Sequence, residues 1–337
     1  MRKLTYLILF ALLVLPIGFA TRASVRSATQ PADLLRILPD GNGVVLLDLQ
    51  KITGSALWST VSAQQKLKGV IDKAQSEIGD LGIKLNDVRA IALVFPSANF
   101  NNPIAAVDGA FDQKDLLDRL RSSSKIKLTS EKYKNLDVYK VKPLPPSDSK
   151  SSSGSTGNPA TVRSETSFVF RDASTIVIGA PEVVRASIDV MNGARPSMSQ
   201  NSQLMDGLAQ NAPAAIKFAL AVTPAMTNSL HSGDLPIDFA TLKLIYGSID
   251  VSSGIELNAT LRSDTDEHAK ALADRLNGLL EMARGFLGAS GSAKSASIVD
   301  ALKAVSITSS NIDVKIIGSF PADLLSSLFN PSERKSQ

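Results

Sequence analysis

The chain has 337 residues, 44% of them hydrophobic and 20% charged, and carries no cysteine. That length is enough for one large or two ordinary domains, and the apolar content is enough for a real core. The missing cysteine excludes disulfides, thiolate zinc sites, iron–sulfur clusters, a cysteine nucleophile and a lipid-modified cysteine. Of the net charge of +4, Arg2, Lys3 and Arg22 supply three units with no acid among residues 1–23. The remaining 33 basic and 32 acidic residues leave +1, so global charge gives no reason to expect a nucleic-acid partner.

Residues 1–23 read as a secretion signal. Arg2 and Lys3 form a positive start, residues 4–20 are an uncharged apolar run broken late by Pro16 and Gly18, and Gly18 and Ala20 are the small residues that precede a cut. Ala23 offers a second cut. The competing reading is an uncleaved inner-membrane anchor, for which a run of 17 residues is short against the roughly 20 that span a bilayer. Either way the expected location is exported, periplasmic or extracellular.

The body contains matching segments in one order, which predicts an internal duplication. Strands are expected at 43–49, 88–95 and 104–111, and again at 214–222, 242–249 and 255–261. Each third strand precedes a helix reading K-x-L-x-D-R-L. In one it is Lys114, Leu116, Asp118, Arg119 and Leu120; in the other it is Lys270, Leu272, Asp274, Arg275 and Leu276. Asp112 with Asp115, and Asp264 with Glu267, are the expected acidic starts of these helices. Each unit closes with a β-branched strand, a glycine turn and a proline opening a helix: 175–184 in one, 314–325 in the other. Residues 31–35 repeat word for word at 321–325 and predict a short helix leading into the first strand. A further helix is expected over 63–78, where Leu67, Val70, Ile71, Ala74 and Ile78 share a face.

The predicted class is therefore α+β: two tandem copies of a β-α-β-β-α-β (split βαβ) unit, with mostly antiparallel sheets and helices packed on one face. Unit one covers 31–195 and unit two 199–330, with a disordered tail at 331–337. Residues 143–162 are rich in proline, serine and glycine and form a flexible insertion in unit one only.

Chemistry-bearing signatures are sparse. His231 and His268 are the only histidines, and no H-E-x-x-H, G-x-S-x-G, Walker or G-x-G-x-x-G pattern occurs. No catalytic residue, metal site or cofactor is assigned. Gly41 to Gly43 read as a turn, Asp48 and Asp108 as acids at edge or solvent-facing strand positions, and Trp58 as a core or groove anchor. The best basic patch is the lysine cluster around Tyr133 and Tyr139, and its surface-binding candidates are Lys132, Tyr133, Lys134, Lys140 and Lys142. Alternation sets Lys140 and Lys142 on the face opposite Tyr139 and Val141, which suits either an ordinary solvated hairpin or a surface that meets phosphate groups or an anionic polymer.

The signal, the leucine-rich opening at 34–39, the Gly-Val-Val-Leu-Leu-Asp strand and the duplication together resemble uncharacterised exported bacterial proteins of the domain-of-unknown-function kind. The resemblance implies a bacterial source and transfers no site residue. It leads to the expectation of a non-enzymatic binding or scaffold protein of the envelope, with an envelope protein or anionic surface polymer as partner and a groove between the two units as its natural site. An envelope hydrolase using serine and carboxylates, and a structural protein held in the membrane by its N-terminus, are the alternatives.

Overall fold

The computed structural model describes residues 30–62, 87–97, 102–144, 165–210, 213–230, 239–289 and 293–322. The expected signal or anchor, the helix at 63–78, most of the 143–162 insertion, His231, the closing helix of the second unit and the tail lie outside the described residues.

Alternation of apolar and polar side chains builds the strands. They are β1 (Gly43–Asp48), β2 (Val88–Phe95), β3 (Ile104–Gly109), β4 (Ile126–Tyr133), β5 (Leu136–Pro143), β6 (Thr166–Phe170), β7 (Thr175–Gly179), β8 (Ile216–Ala221), β9 (Leu242–Asp250), β10 (Gly254–Ser263), β11 (Val305–Ser310) and β12 (Asp313–Pro321). The helices are α1 (Leu49–Thr53), α2 (Ala56–Ser62), α3 (Gln113–Ser122), α4 (Pro181–Met191), α5 (Ser202–Ala209), α6 (Pro224–Leu230), α7 (Asp266–Ala289) and α8 (Ala293–Lys303). The repeated Pro-Ala-Asp-Leu-Leu segment opens a 3-10 helix, Pro31–Ile37.

All twelve strands join in one sheet, in the order β11-β12-β10-β9-β8-β1-β2-β3-β7-β6-β5-β4. Its ladders are antiparallel, and β1–β2–β3 and β8–β9–β10 run as simple meanders. A split βαβ unit would set its first and third strands side by side and parallel, so the expected β-α-β-β-α-β topology is not the one formed. The two halves meet through the β1–β8 ladder, where Val44 faces Ala219 and Leu46 faces Lys217. The junction of the two expected units is thus a continuous hydrogen-bonded ladder.

The helices do not share one face, which is a second correction. Side chains alternate along a strand. Val44 and Leu46 of β1 join one core with the 3-10 helix, α4 and α5, through Leu34, Leu35, Val184, Ile188 and Leu204. Their neighbours Val45 and Leu47 point the other way, into a core with Ile52, Leu57 and Trp58 of α1 and α2. On that second face α3 covers Tyr139, Phe168, Phe170 and Ile176, and α7 covers Ile245, Leu261 and Val314. The central strands are apolar on both sides because both sides are buried. Trp58, 5% exposed, is a core residue.

Capping follows the short-range reading in part. Asp112 accepts a hydrogen bond from the Asp115 backbone N–H at 3.0 Å, and Pro181 opens α4. Asp264 does not cap α7: the Thr265 hydroxyl accepts from the His268 N–H at 3.2 Å, and the Asp264 carboxylate meets the His268 ring nitrogen Nδ1 at 2.6 Å instead.

Candidate functional site

The lysine-rich region forms the β4–β5 hairpin at one end of the sheet, with β4 as an edge strand. The strands pair in register from Ile126 opposite Pro143 to Tyr133 opposite Leu136. Tyr139 and Val141 pack into the second-face core. The Tyr139 ring is buried and stacked on Phe168 at 5.1 Å. Lys140 and Lys142 are on the opposite face, as the alternation predicts.

The structure separates the five candidates. Lys132 stands opposite Asp137 and on the second face, away from the rest. Tyr133, Lys134 and Lys140 are engaged by α4 and by β4 itself. Lys140 Nζ lies 2.6 Å from Glu131 Oε2, and Arg185 of α4 pairs with the other oxygen of the same carboxylate. Lys134 Nζ lies 2.6 Å from Asp189 Oδ1, and the Tyr133 hydroxyl donates to that oxygen at 3.0 Å. The Tyr133 ring has the Arg185 guanidinium 5.7 Å from its centroid. Lys134 holds φ 54, in the left-handed region that residues other than glycine, asparagine and aspartate seldom enter, as the first loop residue of the two-residue turn between Tyr133 and Leu136. Lys142 is exposed and directly opposite Lys127, also exposed.

Local sequence gave no signal for Glu131, Arg185 and Asp189. Arg185 lies 54 residues beyond Glu131 and Asp189 lies 56 beyond Tyr133, so only the packing of α4 against the hairpin brings them together. Lys140 first, then Arg185, holds the Glu131 carboxyl below the usual carboxylate range. Lys134, reinforced by Tyr133, does the same for Asp189. A carboxylate depressed in the fold contributes stability that is present above its unfolded value and is lost as pH falls through its folded value. Glu131→Gln is therefore expected to flatten the acid limb of the stability–pH curve while changing little of its alkaline limb. Thermal midpoints read across that range check this, and an unchanged acid limb would contradict it.

Other polar groups are internal. Asp108 is fully buried, not edge or solvent-facing, and is gripped by Arg89: Nε donates to Oδ2 at 2.8 Å and Nη2 to Oδ1 at 3.0 Å. Arg262 makes the same two-pronged contact with Asp313, at 2.8 and 2.9 Å. Asp48 caps α1 by accepting from the Lys51 N–H at 3.0 Å. A shallow depression of about 290 Å³ on α3, lined by Gln113, Lys114, Leu117, Asp118 and Arg121, is distinct from the hairpin. Among the described residues no group of three His, Asp or Glu side chains is placed to hold a metal ion.

What remains for a ligand at the hairpin is charge. Lys127, Lys140, Lys142 and Arg185 face one side of the sheet, where Glu131 is the acid bonded to two of them. Like charges directly opposite across a ladder oppose folding, and the Lys127–Lys142 pair is such a case.

No protein-family model and no curated protein matches the chain. Among solved structures it is similar to TP0453. Crystal form III aligns with a TM-score of 0.50 at 10% identity, covering 90% of this chain and 98% of that one. Crystal form I aligns at 0.45 with 11% identity, 90% and 98% covered. Crystal form IV aligns at 0.46 with 11% identity, 87% and 95% covered. The likeness to form III is one of fold: an α+β chain with a large antiparallel sheet and several helices.

Proposed function

We propose that the chain is an exported, non-enzymatic binding or scaffold protein of a bacterial envelope, and that it holds an anionic surface polymer on the β4–β5 hairpin. The observation that carries this is the exposed Lys127–Lys142 pair beside Lys140 and Arg185. Two lysines set opposite one another weaken the hairpin, and a polyanion laid across them turns that repulsion into binding. The export part of the reading is supported by Arg2, Lys3 and the uncharged run at 4–20.

We further propose that the body arose by duplication. This is supported by the strand order, which reads outward from β1–β8 alike on both sides: β1, β2, β3, then the β7–β6 hairpin; and β8, β9, β10, then the β12–β11 hairpin. The K-x-L-x-D-R-L helices α3 and α7 follow β3 and β10. The β4–β5 hairpin is the addition in unit one, so an activity not common to both halves belongs there.

The test uses soluble polyphosphate and polyglutamate as probes, with binding followed by fluorescence anisotropy at low and high salt. Binding that weakens with salt is expected. The Lys127→Gln/Lys142→Gln variant is expected to bind on the order of thirtyfold more weakly, since each lysine near an anionic surface contributes about 1 kcal/mol. No binding to either polymer, or equal binding by the variant, would overturn the proposal.

A further inference from the structure

The second half of α7 carries an exposed stripe. Phe286 is 80% exposed and Met282 69% exposed. Gly278 and Gly285 share that side of the helix, because residues at spacings of three, four, seven and eight lie on one face. A methyl group placed at Gly278 or Gly285 would touch nothing within 4 Å among the described residues, so neither glycine relieves crowding there. Glycine within a helix weakens it relative to alanine. The two positions thus cost helix stability with no packing gain among the described residues.

The stripe is self-complementary. If a second α7 is laid against it antiparallel, with a two-fold axis at Met282, Phe286 of each copy falls on Gly278 of the other, and Leu279 falls on Gly285. Phe286 and Leu279 each meet a residue with no side chain, Met282 meets its own copy at the axis, and every pairing is reciprocal, as an isologous two-fold contact requires. Arg275, one turn before Gly278 on the same face, falls on the last residue of the other copy's α7, Ala289. A cation there complements the partial negative charge at a helix C-terminus.

We propose that this face of α7 binds a second copy of the chain as an antiparallel two-fold pair centred on Met282. The contact runs about four helical turns. That is small beside the roughly 1,200–2,000 Å² buried by stable complexes, so the dimer is a weak one, formed at high local concentration.

The chain has no cysteine, so one introduced thiol reports one position. In the full chain, Met282→Cys is expected to give a dimer with a short bismaleimide, and Gly288→Cys, exposed on another side of the helix, is expected to give far less. Adding Phe286→Ser, or Gly278→Leu to fill the hole, is expected to remove the cross-link. Gly278→Leu also raises helix propensity, so its effect is not one of unfolding. Three results would overturn the proposal: equal cross-linking at 282 and 288, a cross-link that survives both second substitutions, or protection of the 282 thiol from a monofunctional maleimide, which would show that the chain covers its own stripe.

Discussion

Replacing Arg89 with methionine is expected to cost about 3–5 kcal/mol of folding stability. Asp108 has no exposed side-chain surface, and Arg89 supplies both hydrogen bonds to its carboxylate as well as one to the Gly109 carbonyl at 3.1 Å. The guanidinium reaches because the β2–β3 register shifts between Val88 and Ala90, a bulge at the arginine itself. Removing the cation strands a carboxylate out of water, and the penalty is that of an uncompensated buried charge. The double variant Arg89→Met/Asp108→Leu is expected to recover most of the loss, because it removes the charge along with its partner. Urea unfolding midpoints for the three proteins decide it. A single-variant loss within about 0.5 kcal/mol, the size of an ordinary surface substitution, would mean that Asp108 finds water or another donor.

The second large effect belongs to the opening 3-10 helix. Leu35 is 0% exposed and packs with Leu34, Ile37 and Leu38 against the first face of the sheet. Leu35→Ala is expected to destabilise by about 2–5 kcal/mol through lost burial and the cavity left behind. Asp33→Ala, in the same short helix but exposed, is expected to stay within about 0.5 kcal/mol. Equal losses from the two would show that the segment acts through its backbone and not by filling the core. The pairing matters because a 3-10 helix of seven residues has little stability of its own. It is held by what it covers, including the hydrogen bond from the buried Ser187 hydroxyl of α4 to the Ile37 carbonyl.

Much of the local architecture is legible in the chain. The strand at Val88–Phe95 is read to the residue, because its apolar positions alternate and bury in that alternation. Proline at the start of α4 and the aspartate cap of α3 are equally local, since each depends on geometry within four residues. The reading fails where a residue's fate depends on a distant element. Asp108 looked like a solvent-facing acid because nothing near it in sequence announces Arg89 on the neighbouring strand. The α4 partner of Tyr133 and Lys134, Asp189, is likewise remote in the chain, and Lys140 reaches Glu131 across its own hairpin. Asp264 looked like a helix cap, and the hydroxyl next to it took that role and left the carboxylate to His268.

Composition and periodicity by themselves determined the α+β class, the position of most strands and helices, and the face on which Lys140 and Lys142 stand opposite Tyr139. These follow from the two-residue pleat of a strand and the turn of a helix, which act over a few residues. Only the tertiary structure decided that twelve strands make one antiparallel sheet, that helices cover both of its faces, and that β1 and β8 join the halves through a continuous antiparallel ladder. The physical reason is that strand pairing and side-chain burial are settled between segments tens to hundreds of residues apart. There the stabilisation comes from shared burial and matched hydrogen bonds, which no short stretch of sequence displays.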